Sequence, residues 1–393
     1  MTRPSMFRRI YIGLLIAAGI LVFGTCTEPF EMESTEYEDI LIINASITAE
    51  SKYHEIYVAR SFASGEEQKL ISGAEVQVMA DNGDSFQFEQ ITPGTYRSTI
   101  PFAPIPGMQY QLNLKDENGE SYISAKVRLT EPTTVDQISA KRILNEQGED
   151  GVQISVDGTA AAANSGYFRY EYVETYKIES FYNPQKELVV VSESPPVLEL
   201  RDKEREERVC YVTQESNSIL IAETNNLSEN RVVDMQLHFI ERKDRRIAIR
   251  YSILVKQYAL TSSSYEFYRT LKSLSSSSNL FSQAQPGLIV GNIENTGSGN
   301  AKVIGLFETV SVASKRIFFN FDEVITDNGI RYLGDCEQTK YHISDSELFE
   351  RVQSGNYLLS GVDPLDIVSI ALKNCVDCTL EGSNMVPEFW IEP

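Results

Sequence analysis

From residue 40 onward the chain is written in short runs that alternate apolar and polar residues, each run stopped by a turn-forming cluster. A period of two puts every second side chain on one face of an extended strand, so the pattern commits the chain to half-buried β-structure. Residues 40–48 open on Ile40, Leu41, Ile42 and Ile43 and alternate through Ala45 and Ile47. Residues 54–59 place Ile56 and Val58 on one face, and Glu75-Val76-Gln77-Val78-Met79 alternates strictly. Phe86 and Phe88 resume the alternation after Asp81-Asn82-Gly83-Asp84, a hairpin signal in which Gly83 can take positive φ. Pro93-Gly94-Thr95-Tyr96, Pro106-Gly107 and Asp116-Glu117-Asn118-Gly119-Glu120 are further turns. Strands at a spacing of about 8–12 residues predict a β-sandwich over 38–131.

Glu131-Pro132-Thr133-Thr134 marks the expected boundary, and a larger β-rich domain is expected over 132–393. Its strands are read at 152–156, 167–176, 188–192, 208–213, 218–222, 232–240, 247–257, 287–293, 301–307, 310–313 and 316–319. The run at 167–176 carries Tyr167, Phe168, Tyr170, Tyr172 and Tyr176 and is bulky on both faces. It reads as the core and rim of a sandwich strand, the alternative being a stacking face for sugars or peptides. One helix is expected near 261–275, with Thr261 as N-cap, Leu260 and Tyr265 as its staple, and Phe267, Leu271 and Leu274 at helical spacing. A second short helix is placed near 344–353. The fold class is therefore mainly β with one or two short helices. The first unit's order of turns and strands resembles immunoglobulin-like modules of the carboxypeptidase-regulatory type.

The first 25 residues follow a different rule. Arg3, Arg8 and Arg9 precede 14 uncharged residues, 10–23, and then Phe23-Gly24-Thr25-Cys26. A basic start, a short apolar run and small residues before a cysteine make a secretory signal of the lipoprotein kind, too short to span a bilayer comfortably. Lipidation of Cys26 is expected, with 1–25 removed and 26–37 left as an acidic tether; the alternative is an ordinary cleaved signal or a membrane anchor, with Cys26 incidental. Acyl chains on Cys26, at about 0.8 kcal/mol per buried methylene, would hold the protein to a membrane. Removing three arginines takes the net charge of −21 to about −24. Such a surface repels phosphate backbones and excludes nucleic-acid binding as a function class.

Four more cysteines follow: Cys210, Cys336, Cys375 and Cys378. An exported chain meets an oxidising compartment, so disulfides are expected, in one of the three complete pairings four cysteines allow. Zinc binding and redox chemistry at Cys375-x-x-Cys378 are the alternatives, but Cys210 and Cys336 lack close spacing and no thioredoxin-like pattern surrounds the motif. His54, His238 and His342 form no short-range metal pair. Neither a nucleophile elbow nor a phosphate-binding or dinucleotide fingerprint occurs. The reading assigns no catalytic, cofactor or metal residue. Loops at 61–68, 295–300 and 326–329 are the places where binding would concentrate.

Several phrases together resemble one family: Pro93-Gly94-Thr95-Tyr96, Tyr251-Ser252-Ile253-Leu254-Val255-Lys256-Gln257-Tyr258, Phe281 with Gln285-Pro286, Gly291-Asn292-Ile293, Lys315-Arg316-Ile317-Phe318, and the tail from Cys375 through Gly382, Asn384 and Pro387-Glu388-Phe389-Trp390. They resemble the Bacteroidota lipoproteins catalogued as domain of unknown function 4249, over about residues 40–390. Acidic residues soon after the lipidated cysteine also resemble surface-export signals of such lipoproteins. Members are often encoded beside TonB-dependent outer-membrane receptors. The resemblance therefore implies a role in surface uptake or binding; with the signal pattern and the lack of a catalytic motif, the chain is expected to be a lipid-anchored outer-membrane protein, not an enzyme, acting as accessory or ligand-binding partner of a TonB-dependent transporter, with the ligand unnamed. A surface adhesion or structural β-sandwich protein is the alternative, and a hydrolase with an unfamiliar site the third.

Overall fold

A computed structural model describes residues 39–61, 68–161, 166–225, 229–276, 289, 291–297, 301–327, 331–332 and 334–393. Cys26, the signal segment and the tether lie outside the described residues, as do 62–67, 298–300 and 328–329 of the three expected binding loops.

The first unit contains β1 (Leu41–Thr48), β2 (Glu55–Arg60), β3 (Glu75–Ala80), β4 (Ser85–Thr92), β5 (Thr95–Ser98), β6 (Gln109–Lys115), β7 (Ser121–Ser124) and β8 (Val127–Arg128). In β1 the alternation is realised directly: Leu41, Ile43, Ala45 and Ile47 are buried. The turn phrase at Pro93 works through Tyr96. Its ring is fully buried, its hydroxyl donates to the Ile71 carbonyl (3.0 Å), and it accepts from the Ala74 N–H (3.0 Å).

The rest of the chain supplies β9 (Thr133–Leu144), β10 (Asp150–Ala160), β11 (Tyr167–Glu179), β12 (Lys186–Glu193), β13 (Pro196–Asp202), β14 (Val209–Glu215), β15 (Leu220–Glu223), β16 (Arg231–Glu241) and β17 (Arg250–Ala259). Helix α1 (Ser262–Ser276) follows, then β18 (Ile293–Asn295), β19 (Val303–Val310), β20 (Val312–Asn320), α2 (Phe321–Val324), β21 (Gln338–His342), α3 (Ser346–Gln353), β22 (Tyr357–Asp363) and β23 (Ile367–Leu372).

The first sheet does not end at 131. Its path runs β18-β7-β6-β3-β4-β5-β2-β1-β19, with β8 on β6, so two strands from beyond residue 290 complete it. Strand β19 pairs parallel with β1; the other neighbours are antiparallel. Asn292 brings the two ends of the path together. Its N–H donates to the Gly305 carbonyl (3.1 Å), and its carboxamide donates to the Phe307 carbonyl (2.7 Å) and accepts from the Phe307 N–H (2.8 Å). On the other side the Ala125 N–H donates to the Asn292 carbonyl (2.7 Å). Gly291 is required beside it, because a Cβ there would lie 1.8 Å from the Gly305 carbonyl oxygen.

The second unit is a sandwich of two sheets, β16-β10-β9 against β14-β11-β17-β20, with β15 also on β11. Val152, Ile154 and Val156 of one sheet meet Phe168, Tyr170, Tyr172, Ile253 and Val255 of the other in one core. Burial of each such side chain contributes about 1.5–3 kcal/mol. The aromatic strand is therefore core on the face that carries Phe168, Tyr170 and Tyr172. Buried Gln257 crosses between the sheets, its amide donating to Thr133 Oγ1 and to the Thr134 carbonyl (3.0 Å).

Hairpin β12–β13 joins β21-β23-β22 and α3 in a third, smaller core built on Leu348, Leu359, Val368 and Ile370. Among the described residues no helix is long and apolar enough to cross a membrane. The cysteines pair as Cys210–Cys378 and Cys336–Cys375. The Cys375-x-x-Cys378 motif is thus split between two bridges. Beyond it the tail lies against β14, where Tyr211 and Ser383 exchange two backbone hydrogen bonds (2.8 and 3.0 Å). Trp390 is buried edge-on to Tyr211 and Phe318, and Arg250 Nε donates to the Ile391 carbonyl (2.7 Å).

Three outcomes are expected. Peptide mapping without reductant recovers Cys210 with Cys378 and Cys336 with Cys375. Replacing Cys210 and Cys378 together by alanine lowers stability by about 2–5 kcal/mol in denaturant titration. Asn292→Ala, which removes both carboxamide bonds, costs about 1–3 kcal/mol, with faster amide exchange at Phe307.

Candidate functional site

Residue 311 is where the first sheet passes into the second: β19 ends at Val310 and β20 begins at Val312. The end of the first unit lies along this crossing. The Thr130 N–H donates to the Thr309 carbonyl (3.2 Å), and Ser311 donates to Thr130 twice, its N–H to Oγ1 (2.8 Å) and its hydroxyl to the carbonyl (2.5 Å). Helix α1 starts on the opposite side. Thr261 Oγ1 accepts from the Ser264 N–H (3.1 Å), the expected N-cap, and Leu260 and Tyr265 are buried together with Tyr258 and Val310.

Between these walls is a cavity of about 350 Å³. Its lining includes Lys126, Arg128, Asn292, Thr261, Ser263 and Glu308. This size suits a small molecule rather than a macromolecular groove. Lys126 and Arg128 flank Val127 in extended chain, so their side chains share a face at a separation of about 7 Å.

Glu308 belongs to a buried ionic cluster behind the cavity. Arg169 lies over the rings of Tyr258 (4.2 Å) and Tyr268 (4.9 Å) and faces Glu171 and Glu308. Tyr258 donates to Glu171 (2.6 Å), and Tyr268 donates to Glu308 (3.0 Å). Burial alone would lower the Arg169 pKa, but Tyr268, Glu171 and Glu308 outweigh it and hold the guanidinium charged. Burial also pushes both tyrosine hydroxyls up, so they stay protonated donors. The cluster joins β11, β17, α1 and β19, and acts as the ionic tie between units.

A second titratable cluster lies inside the sandwich, where the 3-10 turn Arg245–Ile247 meets β11 and β16. Tyr251 donates to Glu174 (2.6 Å), Arg246 donates to Glu174 (3.1 Å) and Asp244 (2.7 Å), and His238 stacks on Tyr172. Arg246 Nη1 also lies 3.0 Å from His238 Nε2. Arginine can only donate, so Nε2 accepts and the imidazole is neutral. Burial lowers the His238 pKa, and Arg246 lowers it further against the pull of Glu174. Residues of acid–base type converge here, yet each is engaged by its neighbours within the fold.

The sequence-derived candidates fall elsewhere. Cys26 is outside the described residues. The four other cysteines are spent in the two disulfides. At 326–329, Asp327 is held by Arg142 (2.8 Å) and Arg242 (2.7 and 2.9 Å). At 295–300, Asn295 Oδ1 accepts from the Gly297 N–H (2.7 Å) and closes a turn. Among the described residues no group of three or more His, Cys, Asp and Glu could hold a metal ion. The cavity was missed because β8 and the approach to α1 are 135 residues apart, from Lys126 to Thr261, and carry no motif.

Comparison with known proteins adds one family. The family described as Domain of unknown function (DUF4249) matches residues 27–316. No curated protein matches the chain. Two solved structures share faint likeness. A DUF4785 family protein from Legionella pneumophila subsp. pneumophila strain Philadelphia 1 is 6% identical, with TM-score 0.16, over 55% of this chain and 49% of that one. The native conformation of E. coli alpha-2-macroglobulin is 12% identical, with TM-score 0.17, over 58% of this chain and 14% of that one. The chain thus spans about half the length of the first and a small part of the second, and neither likeness bears on fold or function.

The His238 geometry has a signed pH consequence. The folded pKa is below the unfolded value of about 6.5, so folding is unopposed above that value. As pH falls from about 6.5 through the folded pKa, proton uptake by the unfolded chain removes stability. His54 shares the sign, since burial lowers its pKa too. His238→Gln keeps an acceptor for Arg246 and is expected to flatten, without abolishing, the decline in unfolding free energy measured between about pH 7.5 and 5.5.

Proposed function

We propose that this chain, which belongs to the DUF4249 family, is a lipid-anchored, non-catalytic binding and accessory protein of the outer-membrane surface that works beside a TonB-dependent transporter. The observation that carries the reading is the pairing of all four cysteines of the described residues in two disulfides. Such bridges persist in oxidising compartments outside the cytoplasm. The signal pattern at 1–25 and the cysteine at 26 support export with a lipid at the new N-terminus.

Binding rather than catalysis is supported by the way the acid–base residues are used. Glu174, His238, Arg246 and Tyr251 satisfy one another inside the sandwich, and a substrate would have to break that network to reach them. The cavity at the unit junction, lined by Lys126, Arg128, Thr261 and Ser263, is the favoured place for a ligand. The transporter enters through the sequence resemblance alone. Tethering beside a pore would raise the local concentration of a captured ligand without a tight interface.

Mass spectrometry of the mature N-terminus is expected to show acylated Cys26 with nothing before it; an unmodified Cys26 in a soluble product refutes the anchor. Mild crosslinking of intact cells followed by capture of the tagged protein is expected to recover a TonB-dependent transporter. Recovery of other surface partners in a parallel control, but no transporter, moves adhesion to first place.

A further inference from the structure

We propose that the junction cavity is an oxyanion site, taking the carboxylate or phosphate group of a small molecule on Arg128 and Lys126. This goes beyond a general binding role and stands independently of any transporter.

Arg128 is anomalous in this chain. Each of the other described arginines has an ion pair, a side-chain hydrogen bond or both; Arg316 and Arg250, for example, bond to Ser252 and Asn320. The rest pair with carboxylates. Asp and Glu outnumber Lys and Arg by 56 to 35, so an arginine here has an excess of acids to choose from. Arg128 nevertheless has no partner among the described residues, and neither does the ammonium of Lys126. Both line the cavity.

The one acid in the lining does not cancel them. Glu308 is only 4% exposed along its side chain: its Oε1 accepts from Tyr268 (3.0 Å) and lies 3.8 Å from Arg169, and its Oε2 is buried. The charge presented to the cavity is therefore cationic, framed by Thr261 and Ser263 hydroxyls and by Asn292. A guanidinium offers paired N–H donors that match the two oxygens of a carboxylate or phosphate, and such charge-assisted bonds are the stronger kind. The chain's negative charge does not override this, because at physiological ionic strength it is screened beyond about 8 Å. A volume of about 350 Å³ limits the ligand to metabolite size.

The test is calorimetric titration of the full chain in neutral detergent with succinate, with inorganic phosphate and with uncharged succinamide. Succinate, phosphate or both bind at millimolar concentration or below, and succinamide does not; which of the two binds identifies the source of the oxyanion. Arg128→Gln weakens binding about ten-fold or more, Lys126→Gln weakens it less, Arg128→Lys restores part, and Lys141→Gln, on a distant strand, has no effect. Thermal unfolding of Arg128→Gln matches the parent, because its guanidinium has no partner to lose. Absence of binding by both anions, binding indifferent to Arg128→Gln, or equal binding of succinamide overturns the proposal. No transporter is present in the experiment, so its failure leaves the proposed partnership untouched.

Discussion

Everything in this chain is organised by the passage from β19 to β20. Val310 is the last residue of a strand of the first sheet, and Val312 is the first of a strand of the sandwich, with Ser311 alone between them. A single extended run thus belongs to two cores and leaves no linker in which the units could swing. Strand β1 holds the run parallel on one side, and β17 holds it antiparallel on the other. The Arg169 cluster then fills the corner where the two cores diverge. A charge taken out of water there is tolerable only because two carboxylates and two aromatic faces surround it.

What could be read in the sequence follows from the range of the interactions involved. Strands such as β1 and β3 announce themselves, because the alternation that buries Val76 and Val78 is written in consecutive residues. Helix α1 is equally local, in its Thr261 cap and its Leu260 and Tyr265 contact. Strand β9 is not legible, and the expected boundary at 131–134 runs into its start, because Thr133–Leu144 mixes polar residues on both faces and is only partly buried. Strands β21 to β23 are hidden for a different reason. Their core is completed by a hairpin more than a hundred residues earlier, so half of the pattern is elsewhere.

The first unit shows the limit most clearly. Its own residues give eight strands, but the seam is closed by Gly291, Asn292 and β19. Gly291-Asn292-Ile293 was visible as a phrase, and its reason was not, because the close approach to Gly305 exists only once the sheet has folded. The candidate site has the same character. Arg128 is an ordinary surface residue in sequence, and only the ion-pair pattern of the whole chain makes its isolation meaningful. The cysteines were legible as bridge-formers, while their partners depended on which chain ends the fold brings together.

That pairing has a consequence for how the chain is made. The bridges are nested: Cys336 to Cys375 lies wholly within Cys210 to Cys378, separations of 39 and 168 residues. Of these four cysteines, a chain made from its N-terminus presents Cys210 first and Cys336 next, and Cys210 waits 168 residues for Cys378. Oxidation in order of arrival would join those two and strand the tail. Cys210 must therefore stay reduced in the growing sandwich until the last segment arrives, or an exchange step must undo the early bond. Nested pairing of this kind calls for thiol–disulfide exchange or for slow oxidation if it is to form during synthesis, a demand that consecutive pairing would not make.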